Sequence, residues 1–281
     1  MRRTAVWLAC SLWALSCLPA HAIVLRYSPK EGLVTKHKMT MTGTTTMTMP
    51  EMQSAGMKMT MSGSILTTEK VLSASDESVT LETRVTGGKM TMTAQGETNS
   101  EDVSEGRMVA EMDHHGRMVK VIESDMDADT ENMLTGGMDY SDFCEIGAAF
   151  PEGDLAVKDT WTGEMKMPLG EGQDVTLTAT SRLLEVGAFQ GRKCAKIRST
   201  FKGPLTLDMS AMGGAQGGGD VNATGTLYGQ FVSYYDYENS VYVSSEGTIT
   251  VTMEVTASNP EGGEFTATTK SAMTMTTKLV K

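Results

Sequence analysis

The chain has few of the large rings that fill most hydrophobic cores. Phe, Trp and Tyr together make up 6% of its 281 residues, and there are only 7 Pro and 4 Cys. Another side chain therefore has to fill much of any core, and the 24 methionines are the candidates. A buried Met contributes about 1.5–3 kcal/mol, comparable with Leu. Its flexibility means that it specifies packing less sharply.

Long hydrophobic runs are missing outside the N-terminus. Two arginines precede an apolar run at residues 6–18, which is too short to span a bilayer, and residues 20–22 place Ala at both positions that a signal peptidase reads. These features predict a signal peptide over residues 1–22 and a mature chain that begins at Ile23. We therefore expect an exported protein, in the periplasm or outside the cell. No later segment is apolar enough to cross a membrane.

Positive charge is also scarce. The chain has 24 Lys and Arg against 35 Asp and Glu, and without the two arginines of the signal peptide its net charge is 22 − 35 = −13. An acidic chain without a stripe of Lys and Arg is a poor nucleic-acid binder and is repelled by anionic membrane surfaces. We expect no nucleic-acid partner.

Two of the four cysteines, Cys10 and Cys17, lie in the predicted signal peptide. Lipidation at Cys17 is the less favoured alternative, because the residues before it fit a lipobox poorly. Cys144 and Cys194 remain, and an even pair in an exported protein predicts one disulfide. Two buried thiols are the alternative, since sequence does not show proximity.

Common catalytic motifs are absent as well. The sequence contains no Gly-x-Ser-x-Gly, no His-Glu-x-x-His and no Cys-x-x-Cys. In the mature chain only His37, His114 and His115 remain as general bases of the usual kind. We expect no catalytic residues and a protein that is not an enzyme.

What the chain does contain is methionine that alternates with a small polar or basic residue. Successive side chains on a strand point to opposite faces, so each run places its methionines on one face and Thr or Lys on the other. The alternation predicts a β-protein with a Met-rich face, and such a deformable apolar surface suits an apolar or acylated ligand. The predicted ligand-face residues are Met39, Met41, Met47, Met49, Met57, Met59, Met61, Met90, Met92, Met165, Met167, Met273 and Met275.

Other interpretations of the methionines stay open. Ordinary core packing is the plainest one. Thioethers are also soft ligands for Cu(I), and one short loop adds imidazoles to them, so we weigh a periplasmic copper-binding protein as the alternative function. A structural cell-envelope module is a third. No cofactor other than copper is expected. The predicted metal-ligating residues are Met112, His114, His115 and Met118.

The second half of the chain repeats the order of features in the first. Residues 29–32 (Pro-Lys-Glu-Gly) recur as residues 151–153 (Pro-Glu-Gly), and an Asp opens a hairpin-like loop at both 113–116 and 236–239. Self-similarity in a fixed order is typical of a repeated supersecondary unit.

The repeat predicts two units after the signal peptide. The first covers residues 23–150, with a short helical connector within 129–150, and the second covers residues 151–281. Thr-rich alternating segments separated by Gly and Ser turns predict long antiparallel hairpins in both. We expect an all-β fold with minor α content, in which the two units form a curved sheet, a half-barrel or a sandwich.

The opening Tyr27-x-Pro29-x-x-Gly32, the long Thr-rich strands and the restart Val157-Lys-Asp-Thr-Trp161 resemble exported bacterial proteins similar to the lipoprotein-carrier (LolA-like) superfamily. The resemblance implies a curved antiparallel sheet with a hydrophobic concave face. It also implies binding of a lipid or acylated ligand in a cell-envelope compartment. The helices that plug the carrier's cavity are not evident here, and no site residue is carried over.

Overall fold

A computed structural model of the protein describes residues 22–49, 56–126, 149–168, 174–208, 221–258 and 264–281. Within these ranges the chain forms strands and no helix, so none of the described residues belongs to a helix that could span a membrane. The strands are β1 (Ile23–Val24), β2 (Val34–Thr48), β3 (Met57–Ala74), β4 (Ser78–Ala94), β5 (Glu97–Asp102), β6 (Gly106–Asp113), β7 (Met118–Ser124), β8 (Asp154–Leu155), β9 (Thr160–Pro168), β10 (Asp174–Phe189), β11 (Arg192–Asp208), β12 (Val221–Asp236), β13 (Val241–Ser258) and β14 (Glu264–Val280).

Twelve strands form one antiparallel sheet, so the predicted all-β class is confirmed. Its order is β7-β6-β4-β3-β2-β14-β13-β12-β11-β10-β9, and β5 pairs with β4 at one end of its length. The pair β2–β14 joins the strands of residues 23–150 to those of residues 151–281, with Met41 opposite Met275. The two halves of the chain therefore share one sheet. Most of the predicted helical connector lies outside the described residues.

The sheet is strongly curved. In a flat sheet β6 and β12 would be about 29 Å apart, six strand spacings of about 4.8 Å. Yet two consecutive residues reach the hairpins that follow these strands. The Tyr27 amide donates to the His114 carbonyl at 2.8 Å, and the Ser28 amide donates to the Ser240 hydroxyl at 3.0 Å. Curvature brings the two hairpins within reach of one dipeptide.

The hydrophobic core lies on the inner, concave face of the sheet. It contains side chains from both halves of the chain, among them Ile65 and Leu177, which are fully buried, and Phe231, which is 2% exposed. On β2 the burial alternates over residues 34–42, with the odd-numbered residues facing inward and the even-numbered Thr and Lys facing solvent. Period-two alternation is therefore the local cause of the two-faced sheet.

The middle of the inner face is densely packed because glycines lie beside large side chains. A Cβ at Gly63 would lie 2.0 Å from the sulfur of Met90, and a Cβ at Gly229 would lie 2.0 Å from the ring of Phe201. Real Cβ atoms do not approach so closely, so these positions require glycine. Glycines on one strand thus provide the volume that methionine and aromatic side chains of the neighbouring strand occupy in the core.

One end of the curved sheet is crossed by residues 25–33, which we call the strap. Besides its bonds to the two hairpins, the strap pairs with the end of β3, where the Gly32 amide donates to the Val71 carbonyl at 3.0 Å. Gly32 has φ +76°, in the left-handed region that favours glycine. The corresponding glycine of the predicted repeat, Gly153, has φ +87°. The repeat itself stays a prediction.

Candidate ligand-binding site

A cavity of about 190 Å³ lies on the inner face beneath the strap. Its walls come from β2, β3, β4, β6, β7 and β12–β14, and residues of the strap and Phe150 close one side. Most of the wall is apolar, and the side chains that supply this character include Leu33, Met39, Val71, Leu81, Met112 and Met118. A concave, mainly apolar site with a few polar groups is the usual form of a small-molecule site.

The cavity exists because small side chains occupy inward positions at this end of the sheet. Ser233, Ser245 and Thr277 lie directly opposite one another on β12, β13 and β14 and all line the cavity. The hydroxyls of Ser233 and Ser245 are 2.9 Å apart and hydrogen-bond to each other. This pairing satisfies two buried polar groups, so Ser233 and Ser245 contribute space without an unpaired hydroxyl.

Two ionisable side chains lie in the cavity wall. His37 is buried, and its Nε2 lies 3.0 Å from the carbonyl oxygen of Tyr242. A carbonyl only accepts, so Nε2 carries a proton. The Nδ1 atom of His37 lies 3.8 Å from Oε2 of Glu69, whose side chain is 34% exposed. The hydroxyl of Thr35 is 3.5 Å from the same oxygen.

The hairpins that hold the strap are each stabilised by an aspartate. Asp113 accepts from the backbone amides of His115 and Arg117, both at 2.9 Å. Burial by itself would raise the pKa of this carboxyl, but its hydrogen bonds, mainly with Arg117, outweigh burial and hold the pKa below its usual value. Both predicted Asp-containing loops are thus hairpin turns in the structure.

Asp236 has the same role in the second hairpin but is fully buried. It accepts from the Asn239 amide at 3.1 Å and from the Arg192 guanidinium at 2.8 Å. Here too burial opposes ionisation, and the hydrogen bonds from Asn239 and Arg192 nevertheless lower the pKa of the carboxyl. The turn places Ser240, with φ +56°, where its hydroxyl meets the strap.

The predicted ligand-face methionines do not all line the cavity. Of that set, only Met39 is among the described residues that surround it. Met41, Met90 and Met275 are buried in the core, and Met61 and Met273 pack against that core. Core packing, the plainest interpretation of the pattern, describes these five.

The remaining members of the set lie toward the opposite end of the strands. Met92 is 52% exposed and Met57 is 37% exposed. Met47, Met49 and Met59 are half-buried. Residues 165 and 167 lie in β9, where they pair with β10, and their side chains are not among those described. The alternation predicted which residues face inward. The cavity, however, lies at the strap end of that face, away from most of the predicted methionines.

The predicted metal loop is divided between two roles. Met112 and Met118 line the cavity, whereas the imidazoles bond to backbone carbonyls. Nδ1 of His114 lies 3.0 Å from the Tyr27 carbonyl oxygen, its Nε2 meets the Asp76 carbonyl oxygen, and Nδ1 of His115 lies 2.6 Å from the Phe150 carbonyl oxygen. Among the described residues no group of three His, Cys, Asp or Glu side chains could hold a metal ion. The rings of the two histidines thus link the hairpin to the strap and to Phe150 through hydrogen bonds.

The predicted disulfide stays a prediction. Cys194 is buried on β11, and its sulfur lies 3.9 Å from the Phe189 carbonyl oxygen. Cys144 lies outside the described residues, as do the predicted signal peptide up to residue 21 and the other residues of 127–148.

Sequence reasoning missed the cavity's two ionisable groups, although a signal was present. His37 came up only as a possible general base, and Glu69 was not singled out. Extending the alternation of Met39 and Met41 back by two residues places His37 on the same face. On β3, Glu69 likewise shares its face with Ile65 and Val71. A histidine or glutamate on a mainly apolar strand face was therefore the sequence signal that could have indicated the site.

Comparisons with known proteins add little. No known protein family and no curated protein sequence matches the chain. DynF from the dynemicin biosynthesis pathway of Micromonospora chersina is 9% identical, with 91% of this chain and 85% of that chain covered at a TM-score of 0.27. A triple mutant of Rh. blastica porin is 5% identical, with 86% and 100% covered at a TM-score of 0.21. At these TM-scores neither likeness carries an argument.

Proposed function

We propose that the protein is a non-enzymatic binding protein that holds the apolar part of a small or acylated ligand in the cavity beneath the strap. The observation that carries the proposal is the cavity itself, about 190 Å³ of space on a face whose middle is tightly filled. An engineered apolar cavity of about 150 Å³ in another protein binds benzene. The space here suits one ring or the end of an alkyl chain.

The fold supports binding in a second way. The wall is built from rigid, paired strands, and the strap is fixed at both hairpins and at Val71. A preformed site loses little conformational entropy when a ligand enters. Each buried methylene contributes about 0.8 kcal/mol, so an eight-carbon chain with part of its length enclosed reaches micromolar to millimolar affinity.

Titration with 1-octanol, followed by isothermal calorimetry, tests the proposal. We expect saturable binding with one site per chain. Thr277→Leu places extra carbons in the cavity and should reduce the affinity at least tenfold. Thr274→Leu is the matched control, because Thr274 is on the same strand but exposed on the outer face; its affinity should equal that of the wild type. Equal affinity of both variants would contradict binding in this cavity.

Export is part of the same proposal. The signal over residues 1–22 supports it, and a mature chain that begins at Ile23 is the expected product. Native mass spectrometry of the chain from its exported fraction checks both points. An organic adduct supports the binding proposal, one or two copper masses would favour the predicted copper alternative, and a bare chain would favour the structural module. A chain retaining residues 1–22 would contradict export.

A further inference from the structure

We propose that the cavity selects ligands whose polar end is a protonated amine; this rests on the proposed function and concerns the polar end of the same ligand. The first observation is charge. The described residues that line the cavity include one carboxylate, Glu69, and no lysine or arginine. The basic residues nearest in sequence, Lys36, Lys38 and Lys70, are exposed on the outer face. An anionic ligand finds no unpaired positive charge here.

The second observation is the arrangement of acceptors. Because Nε2 of His37 donates to the Tyr242 carbonyl, the Nδ1 atom of the neutral ring presents a lone pair to the cavity wall. The nearest carboxylate oxygen of Glu69 is 3.8 Å away. That distance is too long for a hydrogen bond between the two groups. One ammonium nitrogen at about 2.8 Å from each atom would donate to both.

Protonation of His37 does not turn the site into one for anions. The added proton is on Nδ1, which faces the carboxylate of Glu69, so the resulting imidazolium is already paired. The other polar groups of this wall include the hydroxyl of Thr35, which is 3.5 Å from the same carboxylate oxygen, the carbonyl of Tyr242, and the uncharged side chains of Thr67 and Thr83. Neither protonation state of His37 therefore leaves an unpaired positive charge in the polar wall.

The third observation is that apolar side chains flank this pair along the strands. Thr67 lies directly opposite His37, and Thr35 and Thr83 lie opposite Glu69. Met39 and Val71 follow His37 and Glu69 on the inner face of the same strands and line the cavity. An ion pair formed beside such side chains is screened less than one at an open surface. The ligand that fits both features is a primary amine on a short apolar body.

A matched series of octyl compounds tests the proposal, with calorimetric titration of octylamine, 1-octanol and octanoate at pH 7. We expect octylamine to bind at least tenfold tighter than octanol and octanoate to bind most weakly. The Glu69→Gln variant should lose the amine preference, with octylamine within twofold of octanol and octanol unchanged. Glu254→Gln is the matched control, because it removes the same charge from the exposed outer face of β13.

Two further variants exclude attraction to the acidic surface. In Thr277→Leu the surface charge is unchanged, so octylamine should bind at least tenfold more weakly than to the wild type. Glu69→Lys reverses the charge in the wall and should make octanoate the tighter ligand. The wild-type series and Thr277→Leu together test the selectivity without any change at Glu69, so an unstable Glu69 variant does not leave it open.

The outcomes separate this inference from the proposed function. Octanol that binds without any octylamine preference would overturn the amine selectivity and leave the cavity as a binding site. Octylamine preferred equally by the wild type and by Glu69→Gln would also overturn it. The failure of all three compounds to bind would overturn the proposed function itself.

Discussion

The two ends of the inner face are built differently although one pattern of alternation generates both. In the Met-rich part, Met41, Met90 and Met275 fill the face, and the missing side chain at Gly63 makes room for Met90. At the strap end the corresponding inward positions are small and polar, as at Ser245 and Thr277, and a cavity results. Alternation therefore decides which face of the sheet is inside, while side-chain volume decides whether that face is filled.

The two ends also differ in electrostatics. Most of the described ion pairs, such as those of Asp113 and Asp236, lie at the strap end of the strands or in its hairpins, whereas Arg107 and Glu123 pair at the far ends of β6 and β7. The Met-rich part of the described sheet is held by side-chain packing, strand pairing and neutral hydrogen bonds such as that between the hydroxyls of Thr45 and Ser271. Acid should therefore weaken the cavity end first, whereas loss of side-chain volume should act most strongly on the Met-rich part.

Truncation of a packed methionine should have the largest effect. Met41→Ala removes a side chain that is 5% exposed in the middle of the core, and we expect it to lower the free energy of unfolding by about 3 kcal/mol. Urea unfolding at constant m-value measures this change. The matched variant is Met92→Ala at a side chain that is 52% exposed, which should cost less than about 0.5 kcal/mol. Equal losses would mean that the Met-rich face is not packed as described.

Added volume should be harmful in the filled part and tolerated at the cavity. At Gly247 a new Cβ would lie 2.3 Å from the Gln230 carbonyl oxygen and 2.3 Å from the ring of Phe231. We therefore expect Gly247→Ala to cost about 2 kcal/mol in unfolding free energy.

Two comparison variants make that result specific. Gly187→Ala introduces a Cβ with only the Glu185 carboxylate nearby, at 3.6 Å, and should be almost neutral. Thr277→Leu at the cavity should change stability by less than about 1 kcal/mol, because space is available there. If Thr277→Leu cost as much as Gly247→Ala, the cavity would not be open in solution.

Removal of one ion-pair network should have the smallest effect, and its pH dependence identifies it. Hydrogen bonds from Arg84 and Arg107 lower the pKa of Glu82 from 4.5 to about 2. The network is partly exposed, so we expect Glu82→Gln to cost about 1 kcal/mol at pH 6.

The direction of the pH dependence follows from the lowered pKa of Glu82. The contribution of Glu82 is complete above pH 4.5 and is lost as the pH falls toward 2, where the carboxylate takes up a proton in the folded state as well. The difference in stability between the wild type and Glu82→Gln should therefore shrink from pH 4.5 downward in urea unfolding experiments. A difference that stays constant from pH 6 to pH 2 would show that the carboxylate charge contributes nothing.

Much of the fold could be predicted because it depends on neighbours in sequence. Period-two alternation predicted the strands, and Asp113 and Asp236 predicted the two hairpin turns. The contacts of the candidate site could not be predicted in the same way. His114 and His115 were singled out as ligands of the alternative copper site, which stays a prediction, and in the structure their rings lie within hydrogen-bonding distance of backbone carbonyls from distant parts of the chain. Local sequence carries no information on such long-range partners.

Alternation along each strand already specifies two unlike faces, since a strand can only place every second side chain on the same side. It also specifies that the inner face is rich in methionine. The tertiary structure decided the rest: the register in which β14 pairs with β2, the curvature of the sheet and the residues that meet beneath the strap. The cavity depends on those decisions, because His37 and Glu69 share its wall with Ser245 of a distant segment only once β14 has paired with β2.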